Sequence, residues 1–189
     1  ENLKGSPGAR QHAELLELLY QEQPRAVIYD LDIKEVKGSA AETLQFVQTT
    51  EKFNQLFVLT DALEMRGEEG TLQLPAPLQK IRLFSGPKSS DKSNFARDGV
   101  TRRMLISYQD QVMIHPFLAS QIKSEIQDIH KIRGLFNFFD SLQTFINFRP
   151  TNTYPIYSFS NVLSGSVPME TFRDKIVILG RNLALNEEE

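Results

Sequence analysis

The chain has 189 residues, with 21 basic and 24 acidic side chains for a formal charge of −3, 40% hydrophobic and 24% charged residues; a chain this long buries roughly 70% of the surface its unfolded form exposes, and the balance excludes collagen-like, coiled-coil and wholly disordered classes. Glu187, Glu188 and Glu189 account for the net charge, so no global field points to nucleic acid, and no nucleic-acid partner is expected. The lack of cysteine removes disulfide frameworks, thiolate zinc sites, iron–sulfur clusters and cysteine nucleophiles; with only His12, His115 and His130 as histidines, no metal site or cofactor is expected either.

In chain order, residues 11–22 place Ala13, Leu15, Leu16, Leu18 and Leu19 at spacings that give a helix one apolar face, between Pro7-Gly8 and Pro24. Ala26, Val27, Ile28 and Tyr29 form a short β-type run ending in acids, the pattern of a strand covered on both sides. Residues 40–54 return to helical spacing with Leu44 and Val47 inward, and 55–60 form a second apolar strand. This succession predicts a βαβ unit with a parallel strand pair. Residues 61–98 hold six glycines and prolines and a polar run at 88–94; they read as a long excursion carrying one or two short elements.

Residues 101–107 and 111–114 then predict a hairpin turning at 108–110, and 115–129 a helix with Pro116 in its first turn. Lys131 to Leu142 shows no clear period. Phe145–Phe148 reads as a strand, 158–165 as a short helix stopped by Gly165, and 175–179 as a last strand. The fold class is therefore α/β, a single domain with a mixed, largely parallel central sheet flanked by helices. No apolar run approaches the roughly 20 residues of a membrane-spanning helix.

Asp30-Leu31-Asp32 is the most catalytic-looking signal. An apolar strand ending this way would put two carboxylates on one side of the strand, at an edge where α/β sheets bind ligands. Phosphatases of the haloacid dehalogenase type use such a pair with magnesium, and Thr60 and Lys80 or Lys88 stand where their next motifs fall. The later acidic pair is missing, because the strand at 175–179 runs into Gly180, Arg181 and Asn182, and Lys34 departs from the first motif. A bland reading competes, in which the carboxylates cap the loop. Asp98-Gly99 predicts a tight turn before a strand in which Arg102 and Arg103 point to opposite faces. The core-side arginine would need a carboxylate such as Asp30 or Asp32; alternatively the pair binds an anion. Asp30, Asp32, Asp98, Arg102 and Arg103 are thus the candidate ligand-binding residues.

No phosphate loop follows Gly5 or Gly8, and no serine lies in a nucleophile elbow. Nothing pairs His12 or His130 with a nucleophile. Phe136, Phe138, Phe139, Phe145 and Phe148 lack interleaved basic residues, so core packing or an interface is the expectation.

Three stretches together resemble a known family. They are Arg10, His12, Ala13, Leu15 and Leu16 running on to Asp30; Asp98-Gly99-Val100-Thr101-Arg102-Arg103; and Phe145 to Arg149 with Tyr154 to Phe159, Val162 to Gly165 and Asp174 to Gly180. The pattern is similar to the second class of CHASE domains, extracytoplasmic sensory domains of bacterial membrane-bound signalling proteins. The resemblance covers about residues 10–180 and implies a sensor rather than an enzyme, with no catalytic residue. It implies a periplasmic or cell-surface location, a homodimer, and membrane helices leading to a cytoplasmic cyclase, diguanylate cyclase or kinase. It also implies that a first strand and the membrane helices lie outside residues 1–189. The signal would be an unnamed small molecule or protein; a pure interaction scaffold is the third reading.

Overall fold

The stripe of Ala9, His12, Ala13, Leu15, Leu16 and Leu19 is buried along one side of helix α1 (Ala9–Gln21), in a computed structural model that describes residues 7–61, 76–86, 100–109, 111–123, 128–150 and 152–181. The helix starts where the Gly8 N–H donates to Gln11 Oε1 at 2.8 Å. The next N–H, of Ala9, donates to the Lys37 carbonyl at 2.7 Å. A Cβ on Gly8 would lie 2.9 Å from that same carbonyl oxygen, so this approach needs glycine. Helix α2 (Ala40–Lys52) starts at Ser39, whose Oγ accepts the Glu42 N–H at 3.3 Å. Glu42 in turn accepts the Ser39 N–H at 2.8 Å, closing a reciprocal cap. Ser39→Ala is expected to cost about 1 kcal/mol in a urea titration, the usual worth of such a cap.

The described chain divides into two compact units. One contains residues up to Thr60, then 76–84 and Ile156 onward; the other contains most of what lies between. In the first, β1 (Ala26–Tyr29), β2 (Leu56–Asp61), β3 (Leu83–Gly86) and β8 (Ile176–Leu179) form a sheet in the order β3-β2-β1-β8. β1 runs parallel to both its neighbours, with Ile28 opposite Phe57 on one side and Ile178 on the other. The βαβ unit expected over residues 26–60 is therefore present, with α2 as its crossover. α1 and α2 pack together, and Leu15, Leu16 and Leu19 of α1 with Phe46 and Val47 of α2 close over Val27, Tyr29 and Val58; Leu44, expected inward, is exposed instead, and Phe46 takes the buried position. In β8, Val177 and Leu179 pack against this core, whereas Ile176 and Ile178 on its other face stay exposed. The excursion from 61 holds, among the described residues, a 3-10 turn at Leu78–Lys80 and the strand β3.

The second unit carries an antiparallel sheet in the order β5-β4-β7-β6, from β4 (Arg103–Tyr108), β5 (Gln111–Val112), β6 (Phe136–Phe138) and β7 (Ser141–Phe145). The α/β class expected from the sequence holds; the parallel and antiparallel strands lie in two sheets rather than sharing one. The hairpin predicted around residues 108–110 is β4–β5, with Ser107 opposite Val112.

Two expectations here need correction. The strand expected at Phe145–Phe148 instead ends at Phe145, and β6 falls where no period was visible. β6 and β7 join through Phe139, at φ 49, in a turn too tight to leave a loop signature. The helix expected over 115–129 is α3 (Ile114–Ile122): Lys123 is already extended at φ −125, ψ 100, and Ile129–Lys131 is a separate 3-10 turn. Residues 124–127 lie outside the described part.

Back in the first unit, Ser158 caps α4 (Phe159–Leu163) by accepting the Asn161 N–H at 3.1 Å. Gly165, at φ 73, ends it as the sequence predicts, with its N–H on the Val162 carbonyl.

Candidate functional site

Because β1, β2 and β8 run parallel, their carboxyl ends share one edge of the first sheet. β1 is also the point where the strand order turns. The chain leaves β1 through α2 to β2 on one side, while β8 returns on the other. In such sheets the usual ligand position is the crevice outside the carboxyl ends of the strands at this turning point. Asp30, Asp32, Glu35 and Arg181 lie on these two loops.

Asp30 and Asp32 are both exposed, but not as a pair on one strand face. The strand ends at Tyr29, and the Asp30 N–H completes the ladder on the Leu179 carbonyl at 2.8 Å. Asp32 sits beyond it and accepts the Lys34 N–H at 2.9 Å, capping the 3-10 turn Ile33–Glu35. The alternation that would align the two carboxylates stops before either of them. At this edge Arg181 forms an ion pair with Glu35, joining the loop after β8 to the turn after β1. Sequence reasoning passed over Glu35 altogether; its partner is 146 positions away (181 against 35), and no local spacing signals it. Thr60 is buried near the end of β2. Among the described residues, no group of three or more His, Asp or Glu side chains is placed to hold a metal ion. The acidic magnesium shell of the phosphatase reading is not assembled from them.

The arginines belong to the second unit, and Asp98 lies outside the described residues. Arg102 is exposed and donates to the Val100 carbonyl at 3.2 Å. Arg103, 7% exposed, takes the inward position, as the expected alternation requires. The inward residue was expected to need a carboxylate such as Asp30 or Asp32. The Phe138 ring lies 5.2 Å from its Cζ, one of the contacts of this side chain. A planar cation over an aromatic face is held by the ring quadrupole. Arg103→Lys keeps the charge but loses that planar stack, and is expected to cost about 1 kcal/mol by chemical denaturation.

At the opposite edge of the first sheet, a cleft of about 210 Å³ is floored by Phe53, Leu56 and Ile81 and rimmed by Glu51, Lys80 and Arg82. It is too small and open to enclose a drug-sized molecule.

The core beneath the crevice holds one more polar arrangement. The Tyr29 hydroxyl lies 3.0 Å from His12 Nδ1, both side chains being buried. Burial lowers the pKa of His12 to about 4, against a smaller upward pull from the Pro7 carbonyl. Burial likewise raises that of the Tyr29 hydroxyl. The sequence offers His12 no nucleophile, and the Tyr29 hydroxyl that it meets lies on another element, where no local spacing signals it.

No curated protein and no solved structure matches the chain significantly. The model of one protein family does, described as the CHASE2 domain, over residues 5–186. That span takes in the α1–β1 passage, both arginines and β8 alike, and so this chain belongs to the CHASE2 family of extracellular, non-catalytic sensory domains.

Proposed function

We propose that this domain senses a signal outside the cytoplasmic membrane of a bacterium and passes it, through membrane helices of its parent protein, to a cytoplasmic output domain such as a nucleotide cyclase, diguanylate cyclase or kinase. The family match across nearly the whole chain carries this reading. No described helix is long and apolar enough to cross a membrane.

The ligand-binding part of the proposal falls on the crevice at the carboxyl ends of β1 and β8. Its exposed Asp30 and Asp32 and the Glu35–Arg181 pair offer both signs of charge to a small polar molecule or ion. Such a ligand relays a signal only by binding two states of the domain with different affinity. A thermal-shift screen of the chain against divalent metals, carboxylates, phosphates, sugars and nucleotides tests this. Binding at 100 times the dissociation constant adds about 2.7 kcal/mol to the fold. A shift that disappears in Asp32→Ala or Arg181→Ala supports the crevice. A blank screen together with magnesium-dependent phosphoester hydrolysis lost on Asp30→Asn would restore the phosphatase reading.

The homodimer belongs to the same proposal. Phe139, Phe145 and Phe148 are 89%, 66% and 60% exposed, a supply of aromatic surface that favours a partner. A crosslink map that keeps residues 136–148 away from every intersubunit contact would remove that surface.

A further inference from the structure

Four elements of the first unit meet on one imidazole. His12, from α1, is 5% exposed. Tyr29 from β1 faces it with its hydroxyl and with its ring at 5.6 Å. Phe46 from α2 lies edge-on at 6.0 Å, and Phe159 from α4 is nearest at 5.1 Å. Of these neighbours Tyr29 alone can titrate, and burial keeps it protonated. α2 and α4 bring uncharged rings, and the segment entering α1 brings the Pro7 carbonyl.

With the N–H of the neutral ring turned toward the Pro7 carbonyl, which can only accept, Nδ1 is left to accept from the Tyr29 hydroxyl; the tautomer is assigned from these two partners. Protonation puts a second hydrogen on the ring. Nδ1–H then confronts the Tyr29 O–H, and one of the two hydrogens has to turn into apolar surroundings. A buried charge without a carboxylate must find water or a new partner. The site opens where it is held most weakly. α1 and α2 are 13 residues each, and β1 is bonded on both sides. α4 has five residues, of which Val162 is the buried one. α4 is also the first helix after the chain re-enters the first unit at Ile156.

We propose that His12 is an acid-released latch on α4: its protonation unseats Phe159 and frees the helix Phe159–Leu163, while α1, α2 and the parallel sheet stay folded. The latch rests on core geometry and stands apart from the sensory role, so its failure leaves that role untouched.

The chain contains no cysteine, so one introduced thiol reports on one place. Val162→Cys reads α4, and Val47→Cys, on the buried face of α2, reads the rest of the core. Labelling with 4,4′-dithiodipyridine, which reacts in acid, is followed from pH 7 to about 4. The expected result is a rise of at least tenfold in the labelling of Val162→Cys relative to Val47→Cys, abolished by adding His12→Gln. Simultaneous exposure of both thiols, a rise that persists with His12→Gln, or no rise at all would overturn the latch. If Val162→Cys does not fold, Leu163→Cys replaces it; if His12→Gln does not, the histidine ring carbons followed by NMR must titrate together with α4 exposure.

Discussion

Phe46→Ala is expected to destabilise the chain by about 3–5 kcal/mol, the cost of deleting a buried phenylalanine from a core that cannot collapse around the gap. Phe46 is wholly buried, with the rings of His12 and Tyr29 each 6.0 Å away. It therefore fills the space between α2, α1 and β1, and its loss leaves a void bordered by three elements that hold one another in place. Against a typical total of about 5–15 kcal/mol, this removes much of the margin. Urea denaturation should show a far lower midpoint with an unchanged slope. Phe46→Leu, which keeps most of the volume, should cost under about 2 kcal/mol. A Phe46→Ala midpoint within error of the parent chain would mean that the helices do not close over β1 as described.

Acid should weaken the fold well before the carboxylates begin to titrate. His12 has a folded-state pKa of about 4, against about 6.5 in the unfolded chain. The unfolded state thus takes up the proton first. Stability contributed by the neutral ring is complete above pH 6.5 and falls by about 1.4 kcal/mol per pH unit below it. Near pH 4 the loss totals about 3 kcal/mol and levels off. Asp174, held down by hydrogen bonds from Arg25, and Glu42, held down by the Ser39 cap, act in the same direction but lower. Their stabilisation is present above the ordinary carboxylate range of about 4 and is lost beneath it. The stability difference between the parent chain and His12→Gln, measured from pH 7 to 4, isolates the histidine. A difference flat across that window would show that the ring is hydrated in the folded state.

Much of the first unit was legible because its signals are local. Leucine spacing in α1, the helical spacing of residues 40–54 and the apolar runs of β1, β2 and β8 each specify an element within a few residues. The β6–β7 hairpin was not, because its turn uses a left-handed phenylalanine where asparagine or glycine would have announced it. Helix α3 was overextended because the isoleucines at 122, 126 and 129 keep helical spacing beyond the point where the backbone leaves the helix. At the candidate site, Asp30 and Asp32 were visible as a motif. The geometry that separates them was not, since it depends on where pairing with β8 ends. The Glu35–Arg181 and His12–Tyr29 pairs were invisible for the same reason: each joins elements that only the folded sheet brings together.

The position of β8 has a consequence for how the protein is made. One edge of β1 can pair only when Ile176–Leu179 exist, 150 positions after their partners Ala26–Tyr29. At about 5–20 residues per second, a ribosome takes roughly 8–30 s to cover that distance. Through that interval α1, α2 and β2 can gather on β1, but its other edge presents bare N–H and C=O groups to any passing strand. The antiparallel sheet, whose strands all lie within Arg103–Phe145, is complete before then. Newly made chains should therefore be prone to aggregation until Ile176–Leu179 have emerged, and the β1 amides that face β8 should gain protection only from that length onward.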